Sequence, residues 1–224
     1  MNFLSHFYHE IPVTDPYFTV GIILPDILSN YSFRNRETVK LHAAKIADSD
    51  DEEILSLSRG VRRHYEVDGF FHNSEFFDQN VDAIKQMILP LNLPPFQKRL
   101  YAFAHVALEI ILDRTILLEQ PEVCDQMYAL LAKAKPEVIT KFISINTTAS
   151  NPDGVADHLQ KFIEHEFLYD YLNDDRLLEL LGRINTRLGN PMFTNQEKLL
   201  IQPVIHDIQK TLLAQKFPKF RTDL

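Results

Sequence analysis

The chain has 224 residues, 45% of them hydrophobic and only six of them glycine, so it can bury a sizeable core and is expected to be helical rather than a turn-rich β fold. Its formal net charge of −8 argues against general nucleic-acid binding, which usually needs a basic face. The single cysteine, Cys124, excludes an internal disulfide framework and is typical of a reducing compartment.

The first predicted helix covers Asp15–Leu28. Asp15 and Pro16 form an N-cap followed by a proline in the first turn, which is a common start of a helix. Pro25 is expected to break or kink this helix near its end, because proline lacks the backbone N–H and clashes with the preceding turn. A loop is expected near residues 30–36.

The N-terminal region carries two histidines, His6 and His9, one helical turn apart, and Asp26 follows Pro25. Each signal is weak by itself, since such residues usually fill a core, a surface or a turn. The first residues have neither the basic start nor the long apolar run of a signal peptide, and no later stretch reaches the roughly 18 apolar residues of a membrane span. We therefore expect a cytoplasmic protein with no membrane partner.

The predicted helix Glu52–Phe71 leads into the most informative pattern of the chain. His64, Asp68 and His72 are spaced four residues apart, so on a helix they lie along one stripe. Imidazole nitrogens and carboxylate oxygens are good ligands for Mn, Fe or Zn. The alternative is a solvated polar face that carries histidines by chance, although such faces usually consist of Lys and Glu.

The predicted helix Phe96–Glu119 is apolar around most of its circumference and should be central to the core. It repeats the pattern with His105, Glu109 and Asp113, again four residues apart. Ionisable groups on an apolar helix are costly unless they are paired or bound to a cation. The alternative is a satisfied core histidine and a surface pair of Asp113 with Arg114.

Further helices are expected in the rest of the chain, and no stretch shows useful strand-like alternation. The sequence therefore predicts an all-α fold with one helical domain over residues 1–224. The additional predicted helices are Asn73–Met87, Glu122–Ala134, Glu137–Ile145, Gly154–Leu172, Asp174–Leu188 and Asn195–Ala214.

Taken in order, these motifs resemble those of the acyl carrier protein phosphodiesterases. The similarity spans most of the chain. The matching segments are Met1–His6, Gly21–Asp26, Arg59–Asp68, Leu108–Arg114 and Phe167–Arg187.

The resemblance implies an HD-domain-like multi-helix bundle with a divalent metal, which would be Mn, Fe, Mg or Zn. It implies hydrolysis of the phosphodiester that joins 4′-phosphopantetheine to a serine of acyl carrier protein, which would make that carrier the partner. In that reading Asp26 or Asp68 orients the metal or its water, and Arg62, Arg63 or Arg114 neutralises the phosphate. The residues that the resemblance places in the site are His6, Asp26, His64, Asp68 and Glu109, and the two stripes add His72 and His105 as candidate ligands.

The chain also departs from the family's pattern. Ile22 and Ile110 stand where the family has Asn and His, and Tyr65 follows the helix histidine in place of an arginine. His72 and His105 stand where the family tends to carry Asp. Two further functions therefore remain open: hydrolysis of a small nucleotide or phosphoester, and a non-catalytic helical binding protein that has lost its metal.

Overall fold

A computed structural model of the chain describes residues 1–41 and 50–215, and within these ranges the fold is all-α, as the sequence predicts. Extended pairing in the described ranges consists of one bridge between Leu41 and Thr147. The helices are α1 (Phe3–His9), α2 (Pro16–Asn35), α3 (Glu52–His72), α4 (Glu75–Ile88), α5 (Leu100–Glu119), α6 (Pro121–Leu131), α7 (Pro136–Asn146), α8 (Pro152–Glu164), α9 (Asp174–Arg187) and α10 (Asn195–Ala214), with short 3-10 turns at Leu89–Leu91, Pro94–Phe96 and Phe167–Leu172.

The chain divides into two compact units, each made of two segments. The first unit comprises Met1–Gly69 and Glu122–Phe167, and the second comprises Phe70–Pro121 and Leu168–Leu224. The single domain expected from the sequence stays a prediction. None of the helices in the described ranges combines the length and the apolarity that a membrane crossing requires.

Helix α2 begins as predicted but continues beyond Pro25 to Asn35, so the expected break and the loop near residues 30–36 were wrong. The Asp15 carboxylate caps the helix by accepting hydrogen bonds from the backbone N–H groups of Tyr17 and Phe18. A proline inside a helix costs about 3 kcal/mol. Burial of apolar side chains after the proline, including Ile27, offsets this cost and holds the helical conformation.

Two glycines bring α2 and α3 of the first unit into backbone contact. A Cβ atom at Gly21 would lie only 2.4 Å from the carbonyl oxygen of Leu57, and one at Gly60 only 2.3 Å from that of Phe18. No side chain fits between the helices at this crossing. The close approach sets the distance between the segments that carry Asp26 and His64.

The core of the second unit is built around α5, which packs against α4, α9 and α10. Phe103, Leu108 and Ile111 of α5 are fully buried, which confirms the expected central role of this helix. It begins at Leu100 rather than Phe96, because Pro94–Phe96 forms a 3-10 turn and Arg99 has a left-handed φ of 49° that interrupts the helical backbone.

Candidate metal centre

The first unit brings together three metal-ligating side chains from three helices, and we call them the His6 cluster: His6 of α1, Asp26 of α2 and His64 of α3. Their candidate ligand atoms all lie within 4.8 Å of one another. Both histidines are buried, whereas Asp26 is half-buried. The three residues are distant in sequence, so only the packing of the helices assembles this set.

A backbone hydrogen bond determines the orientation of His64. Its Nδ1 atom lies 2.8 Å from the carbonyl oxygen of Ile22. Because a carbonyl oxygen only accepts hydrogen bonds, Nδ1 must carry the proton and donate it. In the neutral ring the lone pair is then on Nε2, which is the usual arrangement of a metal-ligating histidine with a backbone partner. The contribution of position 22 is therefore its carbonyl group, which Ile supplies as well as Asn would.

His6 lies against the ring of His64, with ring centroids 4.0 Å apart and planes inclined by 23°. Helix α1 positions it: Phe3, Leu4 and Phe7 are all buried and hold this short helix in place. No helix was expected here from the sequence, because seven residues are too few for a clear periodic pattern. The signal that was present is the Asn2–Ser5 capping box, which marks a helix start.

Asp68, one turn after His64 on α3, lies next to the His6 cluster. Its Oδ1 atom is 3.7 Å from Nε2 of His6 and 2.6 Å from the amino group of Met1. The Met1 side chain is fully buried, whereas the Asp68 side chain is 27% exposed. This ion pair partly offsets the negative charge that Asp68 places beside the His6 cluster.

Tyr65 is a residue of this region that the sequence did not single out as functional. Burial raises the pKa of its phenol, and the negative charges of Asp26 and Asp68 raise it further. The hydroxyl therefore stays protonated near neutral pH and is available as a hydrogen-bond donor. Its position directly after His64 in the sequence is the feature that could have identified Tyr65 as a site residue.

The first unit contains a cavity of about 580 Å³ whose lining includes Pro25 and Tyr65. Pro25 precedes Asp26 in the sequence, and Tyr65 follows His64. Its volume lies within the range of small-ligand sites, roughly 300–1,000 Å³. The wall combines apolar and polar side chains. Among the lining residues are Pro25, Leu28, Phe33, Arg36, Val39 and Tyr65.

Two of the arginines expected to neutralise a phosphate, Arg62 and Arg63, have different surroundings. The guanidinium of Arg63 donates to Glu10 at 2.7 Å and to Glu66 at 3.0 Å. Burial lowers the pKa of Arg63, but these two carboxylates outweigh it and keep the pKa above its usual value. Arg62 is exposed on α3. The charge of Arg63 is therefore largely compensated inside the protein.

The second unit holds the remaining candidate ligands, which we call the His105 cluster: His72, His105 and Glu109. Oε1 of Glu109 lies 3.1 Å from Nε2 of His72 and 3.0 Å from Nε2 of His105. Burial raises the pKa of Glu109, but the hydrogen bonds from the two histidines more than reverse this effect and lower it to about 2. Glu109 is thus ionised at neutral pH.

The predicted residues therefore fall into two groups, one within each unit. His6, Asp26 and His64 form one cluster with Asp68 beside it, and His72, His105 and Glu109 form the other. The expected convergence of His64 with Glu109 would join the two units and stays a prediction.

Arg114 was a candidate to neutralise the phosphate, with a surface pair with Asp113 as the alternative, and it has a different partner. It is 7% exposed and donates to Asp174 at 2.6 Å. Asp113 is itself fully buried, so the surface pair expected as the alternative was wrong. Both residues lie on faces of α5 that pack inside the second unit.

The donor set of the His6 cluster fits a divalent ion. Ligands held at about 2.0–2.2 Å from one ion lie up to about 4.4 Å apart. Since the candidate atoms lie within 4.8 Å of one another, small side-chain rotations are enough to bring them to bonding distance. Two imidazoles with one carboxylate suit Mn, Fe or Zn better than Mg, which prefers oxygen ligands.

Compared with models of protein families, with curated proteins and with solved structures, the chain has no significant match.

Proposed function

We propose that the first unit is a metal-dependent phosphoester hydrolase of HD-like type, with His6, Asp26 and His64 as the protein ligands of a divalent ion. The observation that carries the proposal is the convergence of these three ligands within 4.8 Å, with the His64 ring held by the Ile22 carbonyl. Such an ion supplies Lewis-acid polarisation of a phosphoryl oxygen and a water of lowered pKa.

The residues of the chain around this ion have distinct roles in the proposal. Asp26 contributes negative charge to the ion, and the hydrogen bond to Ile22 keeps the lone pair of His64 Nε2 directed into the cluster. Asp68, beside His6, orients the attacking water or accepts its proton. Tyr65, protonated and next to both carboxylates, donates a hydrogen bond to a phosphoryl oxygen or to the leaving group.

The substrate we propose first is acyl carrier protein, whose phosphopantetheine linkage would be hydrolysed, and this choice rests on the resemblance of the motifs. The cavity of about 580 Å³ beside Pro25 and Tyr65 offers room for the arm that is released. The chain has one cysteine, Cys124, which is buried and cannot form an internal disulfide, so the proposal includes a reducing, cytoplasmic location.

A small phosphoester or nucleotide is the second candidate substrate, and one observation favours it. Carrier proteins of this kind are acidic, and so is this chain, with a net charge of −8. Long-range repulsion then slows encounter unless a local basic patch compensates for it. Arg63, which would belong to such a patch, is already paired with Glu10 and Glu66.

Replacement of Asp26 by Asn tests the proposed function. Asp26→Asn removes the ligand charge with little change of shape, and we expect it to lower the turnover of a chromogenic phosphodiester and of holo acyl carrier protein by about 10²–10³-fold. Asp82→Asn is the matched control, because Asp82 is an exposed residue of the second unit paired with Lys85. Equal activity of the two variants would contradict the proposal.

A non-catalytic binding protein is the remaining alternative, and metal analysis distinguishes it. The proposed hydrolase binds manganese or zinc through the His6 cluster, so His64→Ala should weaken that binding. A chain that binds neither ion through this cluster would be a binding protein and not a metal-dependent enzyme.

A further inference from the structure

The three ligand atoms of the His105 cluster lie within hydrogen-bonding distance of one another. Nε2 of His105 is 3.0 Å from Nε2 of His72, and both atoms are 3.0–3.1 Å from the same oxygen, Oε1 of Glu109. The three atoms therefore form an almost equilateral triangle, with all three side chains directed at one point.

Hydrogen bonding cannot account for all three sides of this triangle. A carboxylate oxygen only accepts, and a neutral imidazole Nε2 offers either one N–H or one lone pair. If both Nε2 atoms donate to Glu109, their two N–H groups face each other across the 3.0 Å between the rings. If one ring donates to the other, that hydrogen is turned away from the carboxylate. A cation that receives one lone pair from each atom satisfies all three contacts at once.

The spacing of the triangle suits a transition-metal ion. A circle through the three atoms has a radius of about 1.8 Å, slightly less than the bond lengths of about 2.0–2.2 Å found for Zn with His and carboxylate ligands. An ion at bonding distance therefore stands just outside the plane of the three atoms, with its other face open. Two imidazoles favour Zn, Mn, Fe or Co over Mg and Ca, which prefer oxygen.

The surroundings hold the rings in place and leave the cluster accessible. Phe77 of α4 contacts both imidazoles edge-on, with centroid distances of 4.9 Å to His72 and 4.8 Å to His105. Phe77 is itself buried, so the rings rest on a rigid support. The side chains of His72, His105 and Glu109 are 28%, 30% and 14% exposed, so ions can enter and water can complete the coordination.

We propose that His72, His105 and Glu109 form a second divalent transition-metal site, separate from the one proposed for the His6 cluster. The site takes two ligands from one turn of α5 and the third from the last residue of α3. A bound ion therefore ties these backbone segments of the second unit together and stabilises its folded state.

Cobalt(II) alone is the probe, because its visible absorption reports coordination directly. The full chain is stripped with a chelator and titrated, first as wild type and then as His64→Ala, which disables the His6 cluster. We expect His64→Ala to retain one equivalent of cobalt and the double variant His64→Ala with His105→Ala to lose it. His165→Ala, which removes an exposed histidine outside both clusters, should bind as the wild type does.

Glu109→Gln is a second test that still applies if His105→Ala does not fold. Gln has nearly the volume of Glu and can still form a hydrogen bond with a histidine. It should retain the wild-type helical content and lose the same equivalent of cobalt. The proposal is overturned if His64→Ala binds no cobalt, or if Glu109→Gln and His105→Ala both bind as much as the wild type. If the wild type binds one equivalent of cobalt and His105→Ala binds none, the result supports the site at the His105 cluster. The same result contradicts the metal site of the proposed hydrolase at the His6 cluster.

Discussion

The His6 cluster and the His105 cluster use the same kinds of ligand but are built in different ways. The His6 cluster takes single residues from three helices, and its histidines are buried, with one of them held by a backbone carbonyl. In the His105 cluster His105 and Glu109 lie one turn apart on the same helix, and all three residues are half-exposed.

The difference teaches that similar ligand sets can serve different purposes. A buried set beside a cavity, with a protonated phenol and a further carboxylate nearby, has the parts that a reaction needs. The His105 cluster has three close ligands, and Phe77 contacts the rings of both its histidines. We therefore propose a catalytic role for the first and metal-dependent stabilisation for the second.

The largest expected effect comes from disabling the two clusters in turn and measuring phosphodiester turnover. His64→Ala should lower kcat/KM by about 10³-fold, because it removes a ligand of the proposed catalytic ion. His105→Ala should lower it by less than about tenfold, since the proposed second ion acts on stability. Equal losses in the two variants would mean that the clusters do not differ in function.

The next effect tests the helix crossing that positions the His6 cluster. Gly21→Ala should destabilise the protein by at least about 1–3 kcal/mol, because the added Cβ meets backbone that cannot move aside cheaply. It should also weaken zinc binding by the His6 cluster, as the helices that carry Asp26 and His64 move apart.

Gly69→Ala is the matched control for this substitution, since a Cβ at Gly69 in α3 has nothing within 4 Å. There the change should stabilise the helix by up to about 1 kcal/mol. Urea denaturation measures both variants. The proposed role of the close crossing is wrong if the two substitutions change stability in the same direction and by similar amounts.

Metal removal should have a smaller effect, which is a decrease in the stability of the folded chain. This decrease should depend on the His105 cluster. Zinc at about 100 times its Kd for a site stabilises the folded chain by about 2.7 kcal/mol. For a chain of this size that raises Tm by roughly 5–10 °C. Glu109→Gln should lose this increment while Asp82→Asn keeps it, as measured by calorimetry with and without a chelator. A rise in Tm that is unchanged in Glu109→Gln would assign the stabilisation to another site.

Charge reversal at Arg62 distinguishes the two proposed substrates and should have a modest effect. Arg62→Glu should lower kcat/KM for acyl carrier protein by about tenfold at low salt, and added salt should reduce the difference. Arg183→Glu changes another exposed arginine, which is paired with Glu179 in the second unit, and should have little effect. Unchanged carrier hydrolysis in Arg62→Glu would favour the small phosphoester as substrate.

The smallest expected effect is a loss of folding stability of the second unit at acidic pH, and it does not involve either cluster. Burial raises the pKa of Asp174, but hydrogen bonds from His206, Gln202 and Arg114 outweigh it and lower the pKa. The ionised carboxylate therefore stabilises the folded state above its unfolded pKa of about 3.9, and this contribution is lost as the pH falls through the lower folded value.

Denaturation by urea between about pH 6 and pH 3 measures this loss. Asp174→Asn should be less stable than the wild type at pH 6, and the difference should shrink as the solution becomes more acidic. A difference that stays constant with pH would show that the charge of Asp174 does not contribute.

Much of the secondary structure could be predicted because its signals are local. Asp15 and Thr194 cap the helices that follow them, and α10 runs over the predicted Asn195–Ala214. The proximity of His105 to Glu109 could also be predicted, since residues four apart on a helix are neighbours in any fold. The errors fall where packing overrides local preference: α2 passes through Pro25, and Arg114 turns inward to Asp174.

The sequence by itself determined the all-α class, most of the helices and the ligand pair on α5, because these depend on residues within one or two turns of each other. Only the tertiary structure decided that His6, Asp26 and His64 meet, that Ile22 contributes its carbonyl group, and that His72 groups with His105. These contacts join positions up to 58 residues apart in the His6 cluster. They depend on how closely the helix backbones approach, as at Gly21, and no spacing within one helix encodes that distance.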